Sequence, residues 1–142
     1  MTGGIFLAFG LFFLKHFIVD FPLQRWPYQF KNKGTWGHPG GVLHSGLHAV
    51  ATFICLMVLA ILGIWGAGPE KFSEINLAWV IALLLSLLEG FTHYVIDYAK
   101  MNINRIMDWH ANTTEWFWHL LGLDQLLHYL TYLFVLYVWF MA

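Results

Sequence analysis

Long apolar runs, broken by short stretches rich in polar and aromatic residues, set the pattern of this chain. Four of them, at about 3–21, 41–64, 75–98 and 121–141, reach the roughly 20 helical residues needed to cross a hydrocarbon core. Pro22 and Pro27 end the first run, Pro39-Gly40-Gly41 opens the second, and Gly66-Ala67-Gly68-Pro69 closes it before a short polar turn. The pattern predicts an all-α fold: an integral membrane four-helix bundle, with residues 1–142 as one transmembrane domain. Residues 3–14 have the apolar character of a signal peptide. No basic residue precedes them and no small-residue cleavage site follows, so a retained helix is expected.

The two halves repeat. His16-Phe17-Ile18-Val19-Asp20-Phe21 matches His93-Tyr94-Val95-Ile96-Asp97-Tyr98 in residue class at every position, and Leu43 to His48 aligns with Leu123 to His128. The first match ends an odd-numbered span and the second begins an even-numbered one. Both hairpins therefore run in the same direction, which predicts a parallel repeat about a pseudo-twofold axis along the membrane normal.

Composition sharpens this picture. Hydrophobic residues make up 59% of the chain and charged ones only 11%, far below the quarter or so of soluble domains. Lipid is the expected solvent and partner. A net charge of -1 with no basic run gives nucleic acid nothing to bind, and homo-oligomerisation is left open. Lys15, Arg25, Lys31, Lys33, Lys100 and Arg105 flank one side of the four spans, against Lys71 alone on the other. This bias predicts the cell inner (cytoplasmic) membrane, long loops at 22–40 and 99–120 in the cytoplasm, and both termini outside it. Trp26, Tyr28, Trp36, Trp109, Trp116 and Trp118 suit amphipathic interfacial segments in these loops. The single Cys55, inside an apolar run, reads as structural.

Ionisable residues inside the spans form four i,i+4 pairs: His16 with Asp20, His44 with His48, His93 with Asp97, and Asp124 with His128. That spacing stacks both side chains on one helical face, so both reach a common centre. Each pair lies near the cytoplasmic end of its span, so all eight converge at one depth. A single such pair is ordinarily structural. Four are costly, at about 2.5–3.5 kcal/mol per charged group at mid-membrane, and intramembrane charges usually serve a site. Five imidazoles and three carboxylates suit a divalent metal with borderline-hard preferences, Zn first and Fe or Mn as alternatives. The repeat would supply four ligands to each half, predicting a dinuclear centre.

Other polar residues border this layer. Glu89, one turn before His93, is a candidate ligand, a proton shuttle or base, or a packing partner at the small-residue contact of Gly90, and Asp97 and Asp124 are candidate bases if left off the metal. Gln24, Gln125, Lys31, Lys33 and Lys100 are candidates for contact with a substrate headgroup. His38, His110 and His119 lack a fixed spacing and fall outside the site.

These blocks together resemble a family of small bacterial and phage integral membrane proteins, domain of unknown function 3307. Its pattern is H-x-x-x-D-F-x-L-Q, a Lys-containing loop, H-x-x-x-H, H-x-x-x-D-x-x-K and D-Q-x-x-H. Here it reads as His16, Asp20, Phe21, Leu23 and Gln24; Lys31 or Lys33; His44 and His48; His93, Asp97 and Lys100; and Asp124, Gln125 and His128. The aromatic-rich segment Asn104 to His119 departs from it. The resemblance implies a multi-pass membrane protein and brings no established activity.

Three functions compete. The first is a membrane-embedded metal-dependent hydrolase acting on a lipid or lipid-phosphate at the cytoplasmic leaflet. The second is a metal-ion or proton transporter or channel, against which stand the nonpolar outer halves of the spans. The third is a structural or interaction membrane protein of phage type. The first accounts best for ligands at headgroup depth.

Overall fold

The computed structural model describes residues 2–25, 32–66 and 75–141; Trp26, Tyr28, Lys31 and Lys71 lie outside them. Four α-helices follow in order: α1 (Thr2–Asp20), α2 (Pro39–Ile61), α3 (Ile75–Met107) and α4 (Trp116–Met141), with a single 3-10 turn at Leu23–Arg25. All four are long and apolar enough to span a membrane, as expected of a multi-pass membrane protein.

Two spans are longer than the sequence predicts. α3 runs nine residues past the expected end at 98, and α4 starts five residues before 121, so only 108–115 separate them. Much of the expected interfacial loop 99–120 is therefore helix. No glycine or proline interrupts 99–107, so nothing stops the helix where hydrophobicity falls. Asp108, at φ 55°, takes the left-handed conformation just past the end of α3. At the start of α2, His38 is the N-cap and its Nδ1 accepts from the Gly40 backbone N–H, with Pro39 at the first helical position. This is a local role for one histidine that the sequence excludes from the site.

The helices bury one stripe each and leave broad apolar faces for lipid. In α4 the buried residues are Asp124, His128, Tyr132, Val135, Leu136 and Trp139. In α2 their repeat partners His44, His48, Thr52, Cys55, Leu56 and Leu59 are all buried as well. The sequence repeat is thus also a repeat of packing register. α2 and α3 meet most closely at Gly90, where an added Cβ would lie 2.8 Å from Ala49 Cβ and 3.1 Å from the Ser45 carbonyl oxygen. Small residues are what permit such an approach.

The interior divides by polarity. One half is an apolar core containing Ala8, Phe12, Leu56, Leu59, Ala82, Val135, Leu136 and Trp139. The Trp139 indole N–H there donates to the Ile64 carbonyl, giving a buried polar group its partner. The other half holds nearly all the buried ionisable side chains. At 1.5 Å per residue, the pair positions lie about 20–33 Å along their helices from the apolar end. That range approaches and reaches the thickness of a bilayer's hydrocarbon core, about 30 Å.

Candidate metal centre

Asp20 sits at the middle of the polar layer. Its Oδ1 is 3.1 Å from His44 Nε2, 3.2 Å from His48 Nε2 and 4.0 Å from His93 Nε2. His44 Nε2 and His93 Nε2 are 3.1 Å apart. One donor atom from each of Asp20, His44, His48 and His93 lies within 4.8 Å of all the others, so this group could hold a metal ion. Bonds of about 2.0–2.1 Å to a tetrahedral Zn place donors about 3.3 Å apart, so three of the four separations match such a cage within a few tenths of an ångström, while the Asp20–His93 edge is longer.

The donor environment fits a cation. Among the described residues, Asp20's ionic partners are all histidines, whereas Glu89 has Lys15 and both Asp97 and Asp124 have Lys100. Among the described residues, Asp20 is the one carboxylate of the layer with no lysine or arginine within ion-pair distance. His44 Nδ1 and His93 Nδ1, the ring nitrogens away from the cage, are buried without a hydrogen-bond partner. Glu89 Oε1 faces the Nδ1 atoms of both His48, at 3.8 Å, and His93, at 3.6 Å. At those distances, beyond hydrogen bonding, the carboxylate sets a negative charge behind both imidazoles.

A second group of three, His93, Asp97 and His128, meets the same proximity condition. The rings of His48, His93 and His128 stack in a row, with centroids 3.6 and 4.0 Å apart. The first group takes three residues from the first half of the chain and His93 from the second, the other group lies wholly on α3 and α4, and they share His93. The arrangement expected from the repeat, four separate ligands from each half, is not what the packing produces.

His16 and Asp124 belong to neither group and flank them. His16 Nε2 faces two acceptors, Asp20 Oδ2 at 3.0 Å and Gln125 Oε1 at 3.1 Å. It therefore carries the proton, and Nδ1 accepts from the Tyr132 hydroxyl at 2.7 Å. His16 holds the Asp20 carboxylate by the oxygen turned away from the other histidines. Asp124 Oδ2 accepts from Lys100 and from Gln125 Nε2, and its Oδ1 lies 3.5 Å from His128 Nε2.

The lysines and Gln24 also have definite places. Lys33 donates to Asp97 Oδ2 at 2.8 Å and to Gln24 Oε1 at 3.2 Å. Lys100 bridges Asp97 and Asp124 at 2.9 and 3.0 Å. Both ammonium groups are thus engaged by the bundle's own side chains. Lys31 lies outside the described residues.

Lys15 is the clearest correction to the sequence reading. Counted there as a flanking charge, it is 5% exposed and donates to Glu89 Oε1 at 2.9 Å, with its Nζ 3.3 Å from His48 Nδ1. Thr52 donates to the other Glu89 oxygen at 3.2 Å. Helical spacing held the signal: Ala8, Phe12, Lys15, His16 and Val19 fall on one stripe, and all are buried. Thr52 and Tyr132, each four residues beyond a site histidine, were findable by the same rule.

No curated protein and no solved structure matches this chain. A family model matches residues 8–142, which take in nearly all of the four helices, and the chain belongs to the family described as protein of unknown function (DUF3307).

Proposed function

We propose that this protein is a metal-dependent hydrolase of the inner membrane, acting on an ester or phosphoester bond of a lipid at the cytoplasmic leaflet. The carrying observation is the four-donor group Asp20, His44, His48 and His93, with separations near those of a tetrahedral cage. Zn is the first candidate and Fe or Mn the alternatives, because imidazole and carboxylate donors suit all three. One ion in this group is the core of the reading; a second at Asp97 and His128 would share His93. When bound, such an ion lowers the pKa of a coordinated water towards neutrality and polarises the oxygen of a scissile bond.

The chain's own groups have separable tasks. Asp20, 15% exposed at its side chain, is the least buried of the four donors, and His16 fixes its orientation. Asp97 Oδ2 lies 3.4 Å from His44 Nε2 and 3.7 Å from His93 Nε2. That places it to accept a proton beside the cage, with Lys33 and Lys100 balancing its charge. Glu89, on the inner side, is held by Lys15 and Thr52, which suits setting a negative charge behind His48 and His93 better than carrying protons to a substrate. Asp124 faces His128 and is the weaker candidate base.

Transport is disfavoured by the apolar core that fills the other half of the bundle, with Phe12, Leu56, Leu136 and Trp139 almost wholly buried. An ion leaving the polar layer in that direction would shed its ligands into hydrocarbon. The test is elemental analysis of detergent-purified protein together with phospholipid hydrolysis in vesicles. Stoichiometric metal and hydrolysis, both lost in H44A and H48A, are expected. Metal-free wild-type protein, or hydrolysis unchanged in both variants, removes the reading.

A further inference from the structure

Two shallow apolar grooves run along the lipid-facing sides of the bundle, one between α1 and α2 and the other between α3 and α4. They are related by the internal repeat. All nine residues lining the α3–α4 groove have their repeat partner in the wall of the α1–α2 groove, as in Leu11 with Leu88, Ile18 with Val95 and Ala51 with Thr131. The grooves differ at the end nearest the polar layer. Position 23, a leucine that extends the α1–α2 groove, corresponds to Lys100. In the other half that lysine is tied to Asp97 and Asp124, and the α3–α4 groove stops at Ile96.

We infer that the α1–α2 groove binds one acyl chain of a membrane lipid and sets that lipid's polar linkage beside Asp20, while its α3–α4 counterpart has no such outlet to the four-donor group. Length favours an acyl chain. From Leu11 to Val19 the groove follows α1 for about 12 Å and extends to Leu23 past the helix end, close to the depth of one leaflet, half of the roughly 30 Å core, and well short of what a spanning helix would cover. Position favours this groove of the two. Val19 in its wall immediately precedes Asp20, the most open of the four donors, and Leu23 precedes Gln24, which accepts from Lys33. Its volume, about 330 Å³, falls within the range of small-molecule clefts, about 300–1,000 Å³. The inference deepens the hydrolase reading by naming where its substrate lies, though lipid binding itself does not require hydrolysis.

The repeat supplies a matched control. Ala51→Phe fills the α1–α2 groove and Thr131→Phe the equivalent place in the other. Detergent-purified protein is titrated with palmitoyl-oleoyl phosphatidylglycerol, and bound lipid is counted by native mass spectrometry. Wild type and T131F are expected to retain one lipid per chain where A51F retains at least tenfold less, with an intermediate loss in the milder A51L. Should A51F lose helicity, A51L against T131F decides. Equal retention in A51F and T131F, or a loss confined to T131F, overturns the inference. So does a dimer that A51F dissociates with lipid retention unchanged, which would make a second copy the occupant. Metal content and hydrolysis of the same samples separate the two proposals: lipid held selectively by metal-free, inactive protein leaves the groove standing and removes the hydrolase, whereas active, metal-loaded protein indifferent to A51F removes the groove alone.

Discussion

Lys15 of α1 and Glu89 of α3 form an ion pair at 2.9 Å, with both side chains almost wholly buried in the bundle. The pair lies beneath His48 and His93, whose Nδ1 atoms face the same glutamate oxygen. It supplies a fixed negative group behind two candidate ligands while keeping the local charge balanced.

Breaking that pair from one side is expected to be costly. Lys15→Met leaves Glu89 uncompensated and should destabilise the protein by about 3–5 kcal/mol, whereas the double variant K15M/E89M should recover much of that loss. Unfolding in detergent, followed by helicity, checks the sign. The double variant should also bind metal more weakly, since the imidazoles lose their oriented carboxylate, and a chelator competition would read that separately.

The contact at Gly90 brings His44 and His48 to His93, so it should control both stability and metal affinity. Gly90→Ala places a methyl 2.8 Å from Ala49 Cβ and is expected to cost about 1–3 kcal/mol as the helices separate. Ala49→Gly in the same chain should restore most of the loss. A non-additive double-mutant cycle in thermal unfolding is the expected result, and strict additivity would show that the two positions do not press on each other.

Ligands and their supports should differ in degree. His48→Ala removes a donor of the four-atom group and should abolish stoichiometric metal binding. His16→Ala removes no donor of that group but frees the far oxygen of Asp20, along with the contacts to Gln125 and Tyr132, and should weaken affinity by about 10–100-fold while retaining binding at saturating metal. Substituting Co(II) gives a spectroscopic check: a tetrahedral spectrum that survives in H16A and vanishes in H48A is the predicted pair of results.

Metal removal should be visible as lost stability. At a free concentration about 100 times Kd, an ion that binds only the folded chain adds about 2.7 kcal/mol. A chelator should therefore lower the unfolding temperature of wild type and leave H48A where it was. A chelator effect of the same size in H48A would mean that the ion stabilises some other part of the protein.

Asp97→Asn tests the proposed chemistry apart from metal binding. The amide cannot accept the proton, so hydrolysis should fall by about 10²–10⁴-fold with the metal of the four-donor group retained. Full activity in D97N would exclude Asp97 as the base.

Much of this was legible in the chain itself. Apolar run lengths gave four spans, and the i,i+4 spacing gave a shared face to each His/Asp pair, because helical periodicity is a local property. The matched hexapeptides gave the repeat that reappears in the buried register of α2 and α4. Tertiary structure decided which of eight candidates converge. The rotation of each helix against its neighbours, fixed by close contacts such as Gly90 with Ala49, is a long-range outcome that periodicity does not encode. It turned His16 to Asp20 and Tyr132 and brought His93 into both donor groups. It also drew Lys15 inward to Glu89, because a long side chain near a helix end can reach either the interface or a buried carboxylate, and only the packed bundle supplies the second partner.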